Sequence, residues 1–149
     1  MAFLSEGSRR IVLDENFDDI VSVLKSTFGI HEVFFITTVL GYVDGGAVQK
    51  NTSKGPEFRP SYLNKEQRSI LYSILYDIYG DEFIEGLNDR EFQKNCIETL
   101  KDYANRGLEI LYEEVFKYNI EKGVLLKSHK DYDLDLLKYF YEKVNEVPF

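Results

Sequence analysis

Between residues 100 and 116 the chain reads LKDYANRGLEILYEEVF, and apolar or small residues recur through it at steps of three and four. Leu100, Tyr103, Ala104, Gly107, Leu108, Leu111, Tyr112, Val115 and Phe116 fall on one face of an α-helix. Lys101, Asp102, Asn105, Arg106, Glu109, Glu113 and Glu114 fall on the other. Phe92 and Cys96 extend the same stripe upstream, and Asn88 with Glu91 three residues on forms a capping-box signature that opens it. The spacing therefore predicts one helix running to about residue 118, long for a globular domain, around which the rest of the chain packs. The Asn-Arg-Gly triplet at 105–107 usually signals a turn, yet the periodicity passes through it. Gly107 lands on the apolar face, where a glycine costs about 1 kcal/mol relative to Ala unless another backbone comes close. A packing notch is the expectation. A broken helix with positive φ at Gly107, or a helix with room for a methyl group, are the alternatives.

Four other helical patterns surround this one. Phe17, Ile20, Val21, Leu24 and Phe28 form an inner face beginning near Asp14 or Asn16, after a short strand or extended segment at 10–13. HEVFFITTVLGYV is rich in β-branched residues, but its length and the Gly41 after Leu40 suit a buried helix. Asn64 and Gln67 form a second capping box, before a stripe of Ile70, Leu71, Ile74, Leu75, Ile78 and Tyr79 that ends at Gly80. A last helix over 132–145 carries Leu134, Leu137, Phe140, Tyr141 and Val144 on its expected inner face, with Pro148 beyond. About five helices without a run of alternating strands predict an all-α or mainly α fold, an irregular bundle around the long helix. At 149 residues one domain is expected over 1–149, with a long loop at 44–62 and a C-terminal helical extension at 119–149.

Chemistry-bearing patterns are weak. HEVFF starts like a zinc-protease motif, but Phe35 stands where the second histidine must lie, so His31 reads as a helix-start residue. Asp131, Asp133, Asp135 and Glu142 match four positions of a calcium loop, yet Leu136 replaces the glycine its sharp turn requires. Asp18 with Asp19 and Glu113 with Glu114 read as solvated faces. Cys96, the one cysteine, reads as a buried small hydrophobe. No catalytic residues, cofactor or metal are assigned. A non-enzymatic protein is the reading.

A net charge of −8 opposes general nucleic-acid binding. The local exception is the loop DGGAVQKNTSKGPEFRPSY, where Lys50, Lys54 and Arg59, with Arg9 and Arg10 as an auxiliary patch, are the candidate contacts to an acidic protein surface or a phosphate backbone. The many aromatics, 11 Tyr and 11 Phe, favour a partner-binding protein, and self-association is a further expectation. The sequence holds no stretch of the length a membrane span needs, and MAFLSEGSRR has a signal peptide's order reversed, so a cytoplasmic protein without membrane contact is expected.

LKDYANRGLEIL resembles the signature of a small prokaryotic family of DNA phosphorothioation-associated proteins, the accessory proteins of Dnd modification and phage-defence systems described as DNA phosphorothioation-associated protein 4. The family reads Tyr-Ala-Asn-Gly-Gly-Leu here, matching Tyr103, Ala104, Asn105, Gly107 and Leu108 and leaving Arg106 as a departure. RRIVL, the Leu40-Gly41-Tyr42 helix end and the proline-containing loop are similar too. The likeness spans roughly 9–116, and the tail after Lys117 looks added. The resemblance implies an accessory or adaptor role in phage defence through protein contacts, with the partner a component of that system. It supplies no active site.

Overall fold

A computed structural model describes residues 3–6, 9–24, 27–50 and 54–146. Residues 51–53 of the expected loop, the first residues of the chain and Pro148 lie outside the described residues. The protein is mainly α-helical. In chain order come α1 (Phe3–Glu6), β1 (Ile11–Val12), α2 (Phe17–Leu24), α3 (Ile30–Asp44), β2 (Glu57–Phe58), α4 (Lys65–Tyr79), α5 (Asp81–Glu85), α6 (Arg90–Ile110), β3 (Ile120–Glu121), β4 (Val124–Leu125) and α7 (Tyr132–Glu146). The five expected helices are present, joined by the short α1 and α5. The two small antiparallel pairs, β1 with β2 and β3 with β4, were not legible as strands beyond the segment at 10–13.

α3 and α6 form the centre of the fold. A Cβ on Gly107 would lie 1.8 Å from the Thr37 carbonyl oxygen, and one on Gly41 would lie 1.9 Å from the Tyr103 carbonyl oxygen. Two glycines thus let the helix backbones touch, the geometry small residues permit where helices cross closely. Gly41 meeting Tyr103 while Thr37 meets Gly107 makes the helices antiparallel. Thr37 and Thr38 are buried at this seam without stranding their hydroxyls, which donate to the Val33 and Phe34 carbonyls of their own helix at 2.7 Å. Gly107 has no positive φ. The notch reading holds, and both alternatives for Gly107, a positive φ and room for a methyl group, are overturned. Gly41 does not close α3, which runs on to Asp44 and is capped by Gly45.

Around this pair Leu100, Ala104, Leu108 and Leu111 of the α6 stripe meet Phe17, Ile20 and Leu24 of α2, Val33 and Phe34 of α3 and Leu71, Ile74 and Leu75 of α4 in one core. Asn64 and Gln67 make the expected reciprocal cap, with N–H to side-chain distances of 2.8 and 2.9 Å. For α6 the cap shifts by one residue, because the Asp89 carboxylate, not Asn88, accepts the Glu91 N–H at 3.1 Å. Ile70 and Ile78, expected on the buried stripe of α4, are exposed.

α6 ends earlier than residue 118, and its end is a π turn. The Phe116 N–H reaches back five residues to the Leu111 carbonyl at 2.9 Å. Leu111 and Phe116, at the two ends of this wider turn, are both buried in the core. The chain then folds into the β3–β4 hairpin, whose two turn residues Lys122 (φ 55°) and Gly123 (φ 79°) have the paired positive φ of a type I′ turn. The hairpin leads to α7, which docks through buried Tyr132 and Leu136. The expected inner face of α7 is wrong for Leu134, Leu137, Tyr141 and Val144, all exposed; of that stripe Phe140 alone is partly buried against the core.

Candidate functional site

The sequence nominated two sets of residues, and the structure treats them differently. Tyr103, Ala104, Asn105, Gly107 and Leu108 are brought together on α6 against α3, as packing residues. Asn105 does more than pack. Its buried side-chain amide donates to the Val48 carbonyl at 2.8 Å, while the Val48 N–H donates to the Asp102 carbonyl at 2.9 Å. The start of the 44–62 loop is therefore tied down along α6. Arg106 faces outward and joins Asp44 (3.0 Å), Glu109 (3.3 Å) and Glu113 (3.6 Å).

The basic set is divided. Lys50 lies on the rim of a cleft beside α6. Arg10 is paired with Glu57 at 2.5 Å, so its charge is offset locally. Arg59 follows β2 and takes the register position opposite Arg10, since Ile11 pairs with Phe58. Among the described residues no ion pair joins Arg9, Lys50, Lys54 or Arg59. The long loop is thus an N-terminal part pinned to α6, a strand paired with β1, and a 3₁₀ turn at Pro60–Tyr62 that places Tyr62, one turn of chain from Arg59, on the surface.

The cleft, about 660 Å³, was not anticipated. It opens between α2, the C-terminal end of α6 and the hairpin. It is lined by Leu108, Tyr112 and Val124, by the acids Glu15, Asp18, Asp19 and Glu109, and by Lys50 and Lys127. Asp19 holds it together, contrary to its reading as a solvated acid: one carboxylate oxygen accepts the Leu125 N–H at 2.7 Å and the Tyr112 O–H at 3.1 Å. Burial first, and the neighbouring Asp19 charge second, push the Tyr112 hydroxyl far above the ordinary tyrosine range. Nothing in the sequence spacing links Asp19 to residues 93 and 106 positions away, so no local signal could have found this junction. The lining side chains include no histidine or cysteine, and the one serine, Ser22, accepts from Lys127 at 3.2 Å. The cleft offers hydrogen-bond acceptors, two ammonium groups and apolar side chains.

Neither a family model nor a curated protein nor a solved structure matches the chain. Among the described residues no three His, Cys, Asp or Glu side chains are placed to hold a metal ion. Asp131 precedes α7 and Asp133, Asp135 and Glu142 lie within it, Asp135 paired with His129 at 2.7 Å, so the calcium-like spacing is helical. His31 sits in the first turn of α3 with its ring against Tyr62. Among the described residues no helix is long and apolar enough to cross a membrane.

Burial raises the Cys96 thiol from its ordinary 9.0 to about 11. Cys96 and Tyr112 are both held neutral in the fold, whereas in the unfolded chain they ionise near 9.0 and 10.0. Their folded pKa values lie above the unfolded ones, so their contribution to stability is complete below about pH 9 and declines as pH rises through 9 to 11. The urea midpoint is expected to fall over that range, less steeply in Cys96→Ala and Tyr112→Phe. A thiol reagent at pH 8 should label Cys96 only when the protein is unfolded.

Proposed function

We propose that the protein is a non-enzymatic adaptor of a prokaryotic DNA phosphorothioation-linked, Dnd-type phage-defence system, acting in the cytoplasm through contact with another protein of that system. The observation that carries the contact surface is the placement of exposed Arg59 and exposed Tyr62 one 3₁₀ turn apart, directly after β2. Tyrosine and arginine are the residue types that most often dominate binding energy, and this pair stands on a turn fixed by β2 and by the cap of α4. An acidic-rimmed protein surface is the chemical complement. The system itself rests on the YANRGL resemblance.

The test is co-purification of the full chain with the products of genes neighbouring it, the sulfur-transfer and restriction proteins among them. One of them should form a complex, and Tyr62→Ala and Arg59→Ala, both at exposed positions, should each weaken it about tenfold while leaving the melting curve unchanged. Failure to bind any of them, under conditions where the proteins are folded, overturns the reading. The alternative, a nucleic-acid contact by Arg9, Arg10, Lys50, Lys54 and Arg59, is favoured less because Arg10 is already paired and Lys50 lies at the rim of an acid-lined cleft. It predicts DNA binding whose log affinity falls with log salt by nearly one unit per neutralised phosphate.

A further inference from the structure

α7 leaves an apolar stripe uncovered. Leu134, Leu137, Tyr141 and Val144 are 45, 66, 71 and 64% exposed, while Tyr132 and Leu136 on the opposite face are buried against the domain. Their spacing of three, four and three is the a and d pattern of a two-stranded coiled coil. A surface helix with no partner ordinarily carries polar residues at such positions.

The flanking charges select the occupant. With Leu134 and Tyr141 at a and Leu137 and Val144 at d, Asp133 takes a g position and Lys138 the following e position, five residues on. In a parallel pair of identical helices a g residue reaches the e residue five places on in its partner, so Asp133 would face Lys138 twice across one two-fold axis. An antiparallel pair that sets Leu134 against Val144 and Leu137 against Tyr141 would bring Lys138 against Lys138 and leave Asp133 at the far end of the seam, away from any Lys138. Among the described residues Lys138 has no ion pair, and Asp133 accepts the exposed Thr27 hydroxyl at 3.3 Å and the Leu134 N–H at 2.9 Å. We infer that α7 is a self-association surface on which a second copy of this chain docks its own α7 in parallel, through Leu134, Leu137, Tyr141 and Val144, with Asp133 and Lys138 fixing the direction.

The stripe spans two heptads, fewer than the three or four that identify a coiled coil standing alone. Here the helix is already folded on its domain, so its ordering is not charged to association. The contact is small by the standard of stable interfaces and gives a dimer that forms at micromolar rather than nanomolar concentration. This surface is separate from Tyr62 and Arg59, and the inference stands whether or not a defence-system partner is found.

Sedimentation equilibrium of the full chain from about 1 to 500 µM at low salt is the test. The wild type should pass from monomer to dimer within that range, and Leu137→Glu, at an exposed position, should raise the dissociation constant at least tenfold with an unchanged circular dichroism spectrum. Lys138→Asp should weaken the dimer, as should Asp133→Lys, and the double exchange should restore it. A monomer throughout overturns the inference. A dimer indifferent to Leu137→Glu places the contact elsewhere and overturns it equally, and a double exchange without rescue overturns the parallel arrangement.

Discussion

Gly107→Ala is expected to cost about 2 to 4 kcal/mol of stability, although alanine is the better helix former by about 1 kcal/mol. The added methyl carbon would lie 1.8 Å from the Thr37 carbonyl oxygen and 2.5 Å from its carbonyl carbon, and these are backbone atoms in the middle of α3, which no rotamer change can move. Relief requires the two helices to separate, and that loosens contacts of the whole central seam, including the buried Ala104 and Leu100 on one side and Thr38 and Phe34 on the other. The backbone at Gly107 is helical, so the variant should keep its far-ultraviolet circular dichroism while losing midpoint in urea. Gly41→Ala strikes the same seam from the other helix, with Tyr103 as the atom group in the way. Because one separation relieves both clashes, the double variant should lose clearly less than the sum of the two singles. A Gly107→Ala protein as stable as wild type would mean that the seam opens freely, and the close crossing would not be what organises the fold.

That seam shows what can be read from a single chain. A glycine on the apolar face of a strong periodic pattern is legible as a close approach, because the cost of glycine in a helix needs a compensating contact. Which backbone comes close is not legible, since it depends on where the HEVFFITTVLGYV helix docks, and Gly41 read instead as that helix's end. The same limit explains α7. Periodicity found the apolar stripe at Leu134, Leu137 and Tyr141, but periodicity cannot distinguish a face turned to the core from one turned outward. Only the positions of buried Tyr132 and Leu136 decide it. The hairpin at 120–125 hid for a different reason: strands of two residues carry no alternation, and only the turn residues Lys122 and Gly123 mark it. Of the candidate contacts, Arg59 was legible as part of a local excess of basic residues and its place at the end of β2 was not, while the cleft rests on contacts 93 and 106 residues apart that no window could join.

Asp19→Ala is the second large effect expected, about 2 to 4 kcal/mol, and it falls on that cleft. One carboxylate oxygen of Asp19 takes both the Leu125 N–H, from a residue 1% exposed, and the hydroxyl of Tyr112 in the π turn, so a single side chain of α2 fixes the hairpin and the end of α6. Hydrogen bonds to a charged acceptor contribute roughly 1.5 to 3 kcal/mol each, and a buried donor left without a partner costs about 1 to 3 kcal/mol. Asp19→Asn retains an oxygen for the Leu125 N–H and should lose about half as much. The coupling has a definite sign. Tyr112→Phe alone removes a satisfied hydroxyl and should cost about 1 kcal/mol, but in the Asp19→Ala background the hydroxyl is already stranded, so removing it should cost nothing or restore stability. Urea unfolding of the four proteins measures that cycle. If Asp19→Ala lies within about 0.5 kcal/mol of wild type, as surface substitutions usually do, the carboxylate is only solvated surface and the hairpin is held by Leu125 and Tyr132 in the core alone.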